Sequence, residues 1–146
     1  MAVERSAHVT WTGDLMSGCG TYTLASGAAS GQVTWASRTE EPAGLTSPEE
    51  LIAAAHASCF SMALSHSLAQ KGTPPTRLDT DATATFERTE AGYRITRMAL
   101  RVRGIVPGVD EAAVRAAAEE AKEGCPVSKA LAGNVEITVD AALVSA

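Results

Sequence analysis

One long apolar segment, residues 48–70, limits the folds open to this chain more than any other feature. Ser47 precedes it and Glu50 follows three residues later, which is the capping-box pattern that begins a helix. Proline in the first turn is compatible with this start, and Gly72 with the two prolines after it is typical of a helix end. The sequence therefore predicts a single helix over residues 48–70.

Apolar side chains surround most of this predicted helix, and no charged residue follows Glu50 within it. A helix of this kind is buried inside a fold or between subunits. Alanine is abundant and aromatic residues make up only 4% of the chain, so one copy fills little core volume. We therefore expect a homodimer with this helix at its centre. The face expected to be most apolar comprises Leu51, Ile52, Ala55, Cys59, Met62, Ala63 and His66.

The remaining segments predict an α+β fold in one domain, residues 1–146, with antiparallel sheets around the central helix. Alternating or β-branched runs separated by glycine and small polar residues indicate the strands. The predicted strands are residues 8–11, 20–24, 32–37, 79–87, 93–103 and 135–143, and the other helices are 110–123 and 125–131. Arg38 then follows the third strand, in a loop. The element order is βββ-α-ββ-α-α-β.

Composition excludes several function classes. The formal net charge of −5 disfavours nucleic acid as a partner, because a nucleic-acid surface needs excess positive charge. No run of about 18 apolar residues occurs, so no membrane span is expected. The first residues lack the apolar stretch of a secretion signal, and the expected compartment is the cytoplasm. Three cysteines without close spacing predict reactive or buried thiols rather than a disulfide framework.

Two cysteines are candidates for thiol chemistry. Cys59 lies within the long helix, where the simpler interpretation is a small core residue. Cys125 stands between Gly124 and Pro126, at the start of a short helix whose backbone N–H groups favour a thiolate. A thiolate attacks a peroxide and becomes a sulfenic acid, which a second thiol converts to a disulfide. Cys59 is the predicted attacking thiol, and Cys125 the resolving thiol.

A peroxide site also needs a cation beside the attacking thiolate and a carboxylate that orients this cation. Arg38 is the candidate cation, and Glu49, or else Glu50, is the candidate carboxylate. Glu49 and Cys59 are ten residues apart on the predicted helix, about 15 Å along its axis. We therefore expect a composite site, in which Arg38 and Glu49 of one chain approach Cys59 and Cys125 of its partner.

Other uses of these residues were weighed. His56 and Cys59 share a helix face, which raises a metal site with Cys125, but structural zinc requires four ligands and usually close cysteine pairs. We expect no metal and no cofactor. Phe60, Met62 and His56 are the residues expected to line a substrate pocket around Cys59.

Three segments resemble the OsmC/Ohr family of osmotically induced and organic-hydroperoxide-resistance proteins. They are Ser37-Arg38-Thr39-Glu40, residues 46–65 (TSPEELIAAAHASCFSMALS) and residues 125–131 (CPVSKAL). The wording of the first two is closer to the OsmC branch, and the element order extends the resemblance over essentially the whole chain.

The resemblance implies an intertwined homodimer with two interface sites that reduce organic hydroperoxides, and hydrogen peroxide less efficiently. It implies the roles given above for Cys59 and Cys125, with Arg38 and Glu49 as the thiolate-activating pair. It also implies that a dithiol such as dihydrolipoamide returns the disulfide to thiols. Two alternatives remain open: a redox sensor or stress-induced binding protein without turnover, and a structural dimer with inert cysteines.

Overall fold

The computed structural model describes residues Met1–Ala146, which form two compact units, Met1–Leu51 and Ile52–Ala146. The expectation of one domain stays a prediction. The strands are β1 (Ala7–Thr12), β2 (Cys19–Leu24), β3 (Ser30–Val33), β4 (Arg77–Thr89), β5 (Gly92–Ile105) and β6 (Glu136–Leu143). The helices are α1 (Trp35–Thr39), α2 (Pro48–Gln70), α3 (Glu111–Gly124) and α4 (Pro126–Leu131). The α+β class is confirmed.

The first unit contains an antiparallel meander of β1, β2 and β3, followed by a short helix that the sequence did not predict. The third strand ends at Val33 instead of residue 37, because Thr34 caps α1. The Thr34 side chain accepts a hydrogen bond from the Ser37 backbone N–H (3.0 Å), and the Ser37 hydroxyl accepts one from the Thr34 N–H (2.9 Å). Arg38 therefore lies on a helix rather than in a loop, and the element order is βββ-αα-ββ-αα-β.

Helix α2 has the bounds that the sequence predicts, Pro48–Gln70. The Ser47 hydroxyl accepts a hydrogen bond from the backbone N–H of Glu50 at 3.1 Å, as the capping-box pattern requires. Its buried face differs from the predicted one. The fully or nearly buried residues from Ala53 onward, spaced three or four apart, are Ala53, His56, Phe60, Leu64 and Leu68.

The second unit is built on the sheet β4-β5-β6. Strands β4 and β5 form the predicted antiparallel hairpin, whereas β5 and β6 are parallel, with Leu100 opposite Val139. The expectation of purely antiparallel sheets is therefore wrong for β6. The reason is the long connection through α3 and α4, which carries the chain back to the starting edge, as a parallel pair requires.

The core of the second unit lies between this sheet and its helices. Helix α3 presents a buried stripe at helical spacing, formed by Val114, Ala117, Ala118 and Ala121. The three alanines leave room for close approach of neighbouring elements. Phe60, Leu64 and Leu68 of α2 belong to the same core cluster. Cys125 is also a member, so the end of α3 is anchored in the core.

Much of α2 is not covered by its own chain. Only 28% of its most apolar 18-residue window is buried, and the Met62 side chain is 74% exposed. By length and composition alone this helix is sufficient to cross a membrane, but the core helix of a soluble protein meets the same criteria. Because one face of α2 packs in a protein core, the exposed apolar face is better explained by contact with another protein surface.

Candidate active site

Cys59 and Cys125, 66 positions apart in the sequence, interact in the second unit. Cys59 lies midway along α2, whereas Cys125 is both the last cap of α3 and the first cap of α4. Both thiols are free, and the two side chains hydrogen-bond each other. Cys125 is fully buried and Cys59 only partly, so reagents in solution meet Cys59 first.

The two thiols have different electrostatic surroundings. Burial raises the pKa of the Cys59 thiol, and the hydrogen bond to Cys125 raises it further. The backbone N–H of Val127 acts in the opposite direction but does not compensate. In the second unit alone, Cys59 is therefore held as the neutral thiol, and a nearby cation is needed before it becomes a good nucleophile.

Cys125 has the lower pKa of the pair. Burial acts to raise the pKa of this thiol, but several hydrogen bonds together lower it below the usual range. The donors are Cys59, the backbone and side chain of Ser128, and the backbone of Val127. Val127 and Ser128 are in the first turn of α4, where backbone N–H groups have no partner within the helix. The sequence prediction that the start of α4 favours a thiolate at residue 125 agrees with this geometry.

A second buried polar pair adjoins the thiols. His56 Nε2 lies 2.8 Å from the Ser128 hydroxyl, and both side chains are buried. His56 Nδ1 has no hydrogen-bond partner. Burial lowers the pKa of His56, so the imidazole is neutral at neutral pH. Ser128 was not among the predicted site residues, because a serine in a short helix gives no signal of its contact with a histidine 72 positions earlier.

An open cavity of about 440 Å³ lies beside Cys59. Its lining residues are Cys59, Met62, Ala63, His66, Ser67, Glu120, Ala121, Gly124 and Pro126. Of the three predicted pocket residues, the structure places Met62 on this lining, whereas Phe60 and His56 are fully buried in the core. No arginine or lysine lines the cavity. The second unit therefore offers Cys59 a largely apolar surface without a basic side chain.

Arg38 and Glu49 form an ion pair in the first unit. Arg38 Nε donates to both carboxylate oxygens of Glu49, at 2.9 and 3.1 Å, and Nη2 donates to Oε1 at 2.7 Å. The Glu49 side chain is 7% exposed and that of Arg38 is 31% exposed. Trp35 adds a cation–π contact, with its ring centroid 5.9 Å from the guanidinium carbon. This bidentate geometry fixes the guanidinium plane.

The structure distinguishes the two candidate carboxylates. Glu49 binds Arg38, whereas Glu50 accepts a hydrogen bond from the Thr46 hydroxyl at the start of α2. No group of three or more histidine, cysteine or acidic side chains is arranged to hold a metal ion. The structure thus assembles two pairs from the predicted residues: Arg38 with Glu49 in one unit, and Cys59 with Cys125 in the other.

Comparison with known proteins identifies clear relatives. The sequence model of the OsmC-like protein family matches residues 41–140. Peroxiredoxin OsmC of Escherichia coli (strain K12) is 41% identical over 145 residues, 99% of this chain and 100% of that protein. An organic hydroperoxide resistance protein of Xanthomonas axonopodis pv. citri is 33% identical over 95 residues, 64% of this chain and 65% of that protein.

A crystal structure from Legionella pneumophila, described as an organic hydroperoxide resistance protein OsmC, has the same fold. It superposes with a TM-score of 0.79 over 97% of this chain and 98% of that chain, at 23% sequence identity. At this identity the likeness concerns the fold alone.

Proposed function

This chain belongs to the OsmC-like protein family, and from that premise we propose that it is a thiol-dependent peroxidase that reduces organic hydroperoxides, and hydrogen peroxide more weakly. The names of its relatives support a peroxide-related redox role. One observation carries the finer proposal: two free thiols hydrogen-bond each other, one beside an apolar cavity and the other sealed in the core.

Accessibility assigns the two roles. Cys59 lines the cavity and Cys125 does not, so a hydroperoxide reaches the Cys59 sulfur. The Cys59 thiolate attacks the terminal peroxide oxygen and the O–O bond breaks. An alkoxide leaves and takes up a proton to become the alcohol, while Cys59 becomes a sulfenic acid. An apolar cavity of about 440 Å³ accommodates the alkyl group of an organic hydroperoxide.

The low pKa of Cys125 suits it to the second step. Its thiolate attacks the sulfenic sulfur, the S–O bond breaks, and the leaving hydroxide takes up a proton to form water. The product is a disulfide between residues 59 and 125, which protects Cys59 from further oxidation. A dithiol such as dihydrolipoamide then reduces this disulfide by thiol exchange and is itself oxidised. The reaction needs reduced thiols at rest, which agrees with a cytoplasmic protein.

The first step requires a cation, since burial raises the pKa of Cys59 and no basic side chain lines its cavity. We assign this role to Arg38, oriented by the buried carboxylate of Glu49, from the second copy in a homodimer. The exposed apolar face of α2 supports such a dimer, because a second copy would remove it from water.

Peroxide consumption in the presence of a dithiol tests the proposal. We expect turnover with cumene and tert-butyl hydroperoxide, none with Cys59→Ser, and a single turnover followed by sulfinic acid at residue 59 with Cys125→Ser. Cys19→Ser is the matched control, and it should keep full activity. Stoichiometric oxidation without turnover would instead indicate a redox sensor, and absence of any thiol reaction would indicate inert cysteines.

A further inference from the structure

Three buried polar side chains, those of Cys125, Ser128 and His56, are connected in the core of the second unit. The exposed fractions are 0% for Cys125, 4% for Ser128 and 0% for His56. Ser128 contacts both of the others, since its hydroxyl lies 2.8 Å from His56 Nε2 and is also a hydrogen-bond partner of the Cys125 sulfur. Because water does not reach these groups, the direction of each hydrogen bond is set by the protein.

The hydrogen-bond directions follow from the number of protons available. The Ser128 hydroxyl has one proton. If His56 Nε2 accepted this proton, the neutral ring would carry its own hydrogen on Nδ1, leaving a buried N–H donor without a partner. Buried N–H groups without partners are rarer than buried acceptors without partners. The hydrogen is therefore on Nε2, which donates to Ser128, and the hydroxyl proton is free to point at Cys125.

We propose that His56 is a positioning residue for the resolving thiol, because its Nε2–H holds the Ser128 hydroxyl in the orientation that donates to the Cys125 sulfur. This inference rests on the proposed peroxidase function and deepens its second step. His56 transfers no proton, and its ring stays neutral throughout. Without it, the hydroxyl is free to rotate and its proton no longer points at the sulfur.

The position of His56 gives this arrangement a functional consequence. His56 precedes Cys59 by three residues, so one turn of α2 carries both the attacking thiol and the group that prepares the resolving thiol. A shift of this turn would therefore change both thiols together. A structural role alone would need no hydrogen bond directed at sulfur, and an apolar side chain would fill the same space.

Titration of the Cys125 thiolate tests the inference without requiring peroxidase activity. In a Cys19→Ser, Cys59→Ser background only this thiol remains, and its thiolate absorbs near 240 nm. We expect Ser128→Ala to raise the Cys125 pKa and to reduce the thiolate fraction at neutral pH about tenfold, as loss of one hydrogen bond to a charged group would do. Ser128→Thr keeps the hydroxyl and should restore the thiolate fraction.

The role of His56 is isolated by a double-mutant cycle. His56→Leu should reduce the thiolate fraction in the parent background but have no further effect once Ser128 is alanine. His56→Gln supplies an amide N–H and should retain most of the thiolate, and it also covers the case in which the leucine variant fails to fold. An equal effect of His56→Leu with and without the Ser128 hydroxyl, or no effect with it, would overturn the inference.

A kinetic experiment separates this inference from the proposed function. After one equivalent of peroxide, Ser128→Ala should form the disulfide about tenfold more slowly, while its sulfenic acid forms at the normal rate. If the otherwise unmodified chain forms no sulfenic acid, the proposed function is wrong, but the thiolate titration still decides the role of His56. Normal resolution in Ser128→Ala would contradict the inference alone.

Discussion

Subunit complementation is the sharpest test of the composite site. Helix α2 is continuous from Pro48 to Gln70, so Glu49 and Cys59 are separated by about 15 Å along its axis. Arg38 is bound to Glu49 through contacts of 2.7 to 3.1 Å. We therefore expect each active site to combine Arg38 of one subunit with Cys59 of the other.

Two variants are combined in a heterodimer purified through different affinity tags. One chain carries Cys59→Ser, and the other carries Arg38→Gln, which removes the cation but leaves a donor for the buried Glu49 carboxylate. Each homodimer should lack activity. The heterodimer contains one site with both native residues, so its cumene hydroperoxide activity should be half that of the native dimer.

The reciprocal heterodimer supplies the control. It pairs a native chain with a chain that carries both substitutions, so that no composite site retains Arg38 together with Cys59. This heterodimer should have no activity. If it shows half activity while the first heterodimer shows none, the two residues act within one chain, and the composite site is refuted.

Three further predictions follow from the second unit. Cys125→Ala should lower the pKa of Cys59, because the hydrogen bond and charge of Cys125 both raise it, and alkylation of residue 59 as a function of pH measures the change. Leu64→Ala should cost about 2–5 kcal/mol of unfolding free energy in a urea titration, because Leu64 is fully buried. Val144→Ala, at a side chain that is 40% exposed, should change this free energy by less than about 0.5 kcal/mol. Because burial lowers the pKa of His56 in the folded chain, the unfolded chain binds more protons, and stability should fall as the pH decreases below 6.5. His56→Gln should flatten this pH dependence, and a dependence that stays unchanged would contradict the assignment.

Local sequence signals predicted most of the elements. Apart from the third strand, all predicted elements lie within about two residues of the observed bounds, because proline, glycine and capping side chains define their ends. The exception, α1, begins at a Thr34 cap that pairs with serine rather than with the usual glutamate. A five-residue helix of this kind has too little periodicity to be recognised beforehand.

The buried face of α2 was not predictable by the same means. Apolar side chains surround the helix, so hydrophobic periodicity does not distinguish the face that packs on the core from the face left open. The structure buries Phe60 and Leu64 and leaves Met62 largely exposed. Only the positions of α3 and the sheet, which are set by long-range contacts, select between these faces.

The same limit applies to the candidate site, and it explains why two chemically identical thiols acquire different roles. The start of α4 indicated a favoured thiolate at Cys125 from sequence alone, since glycine and proline around it mark a helix start. Nothing in the sequence places His56 against Ser128, 72 residues apart. Burial raises the pKa of Cys59, whereas the hydrogen bonds around Cys125 outweigh its burial. The less acidic thiol is thus the accessible one, and a peroxidase built on this chain depends on a basic group that its own cavity lining does not contain.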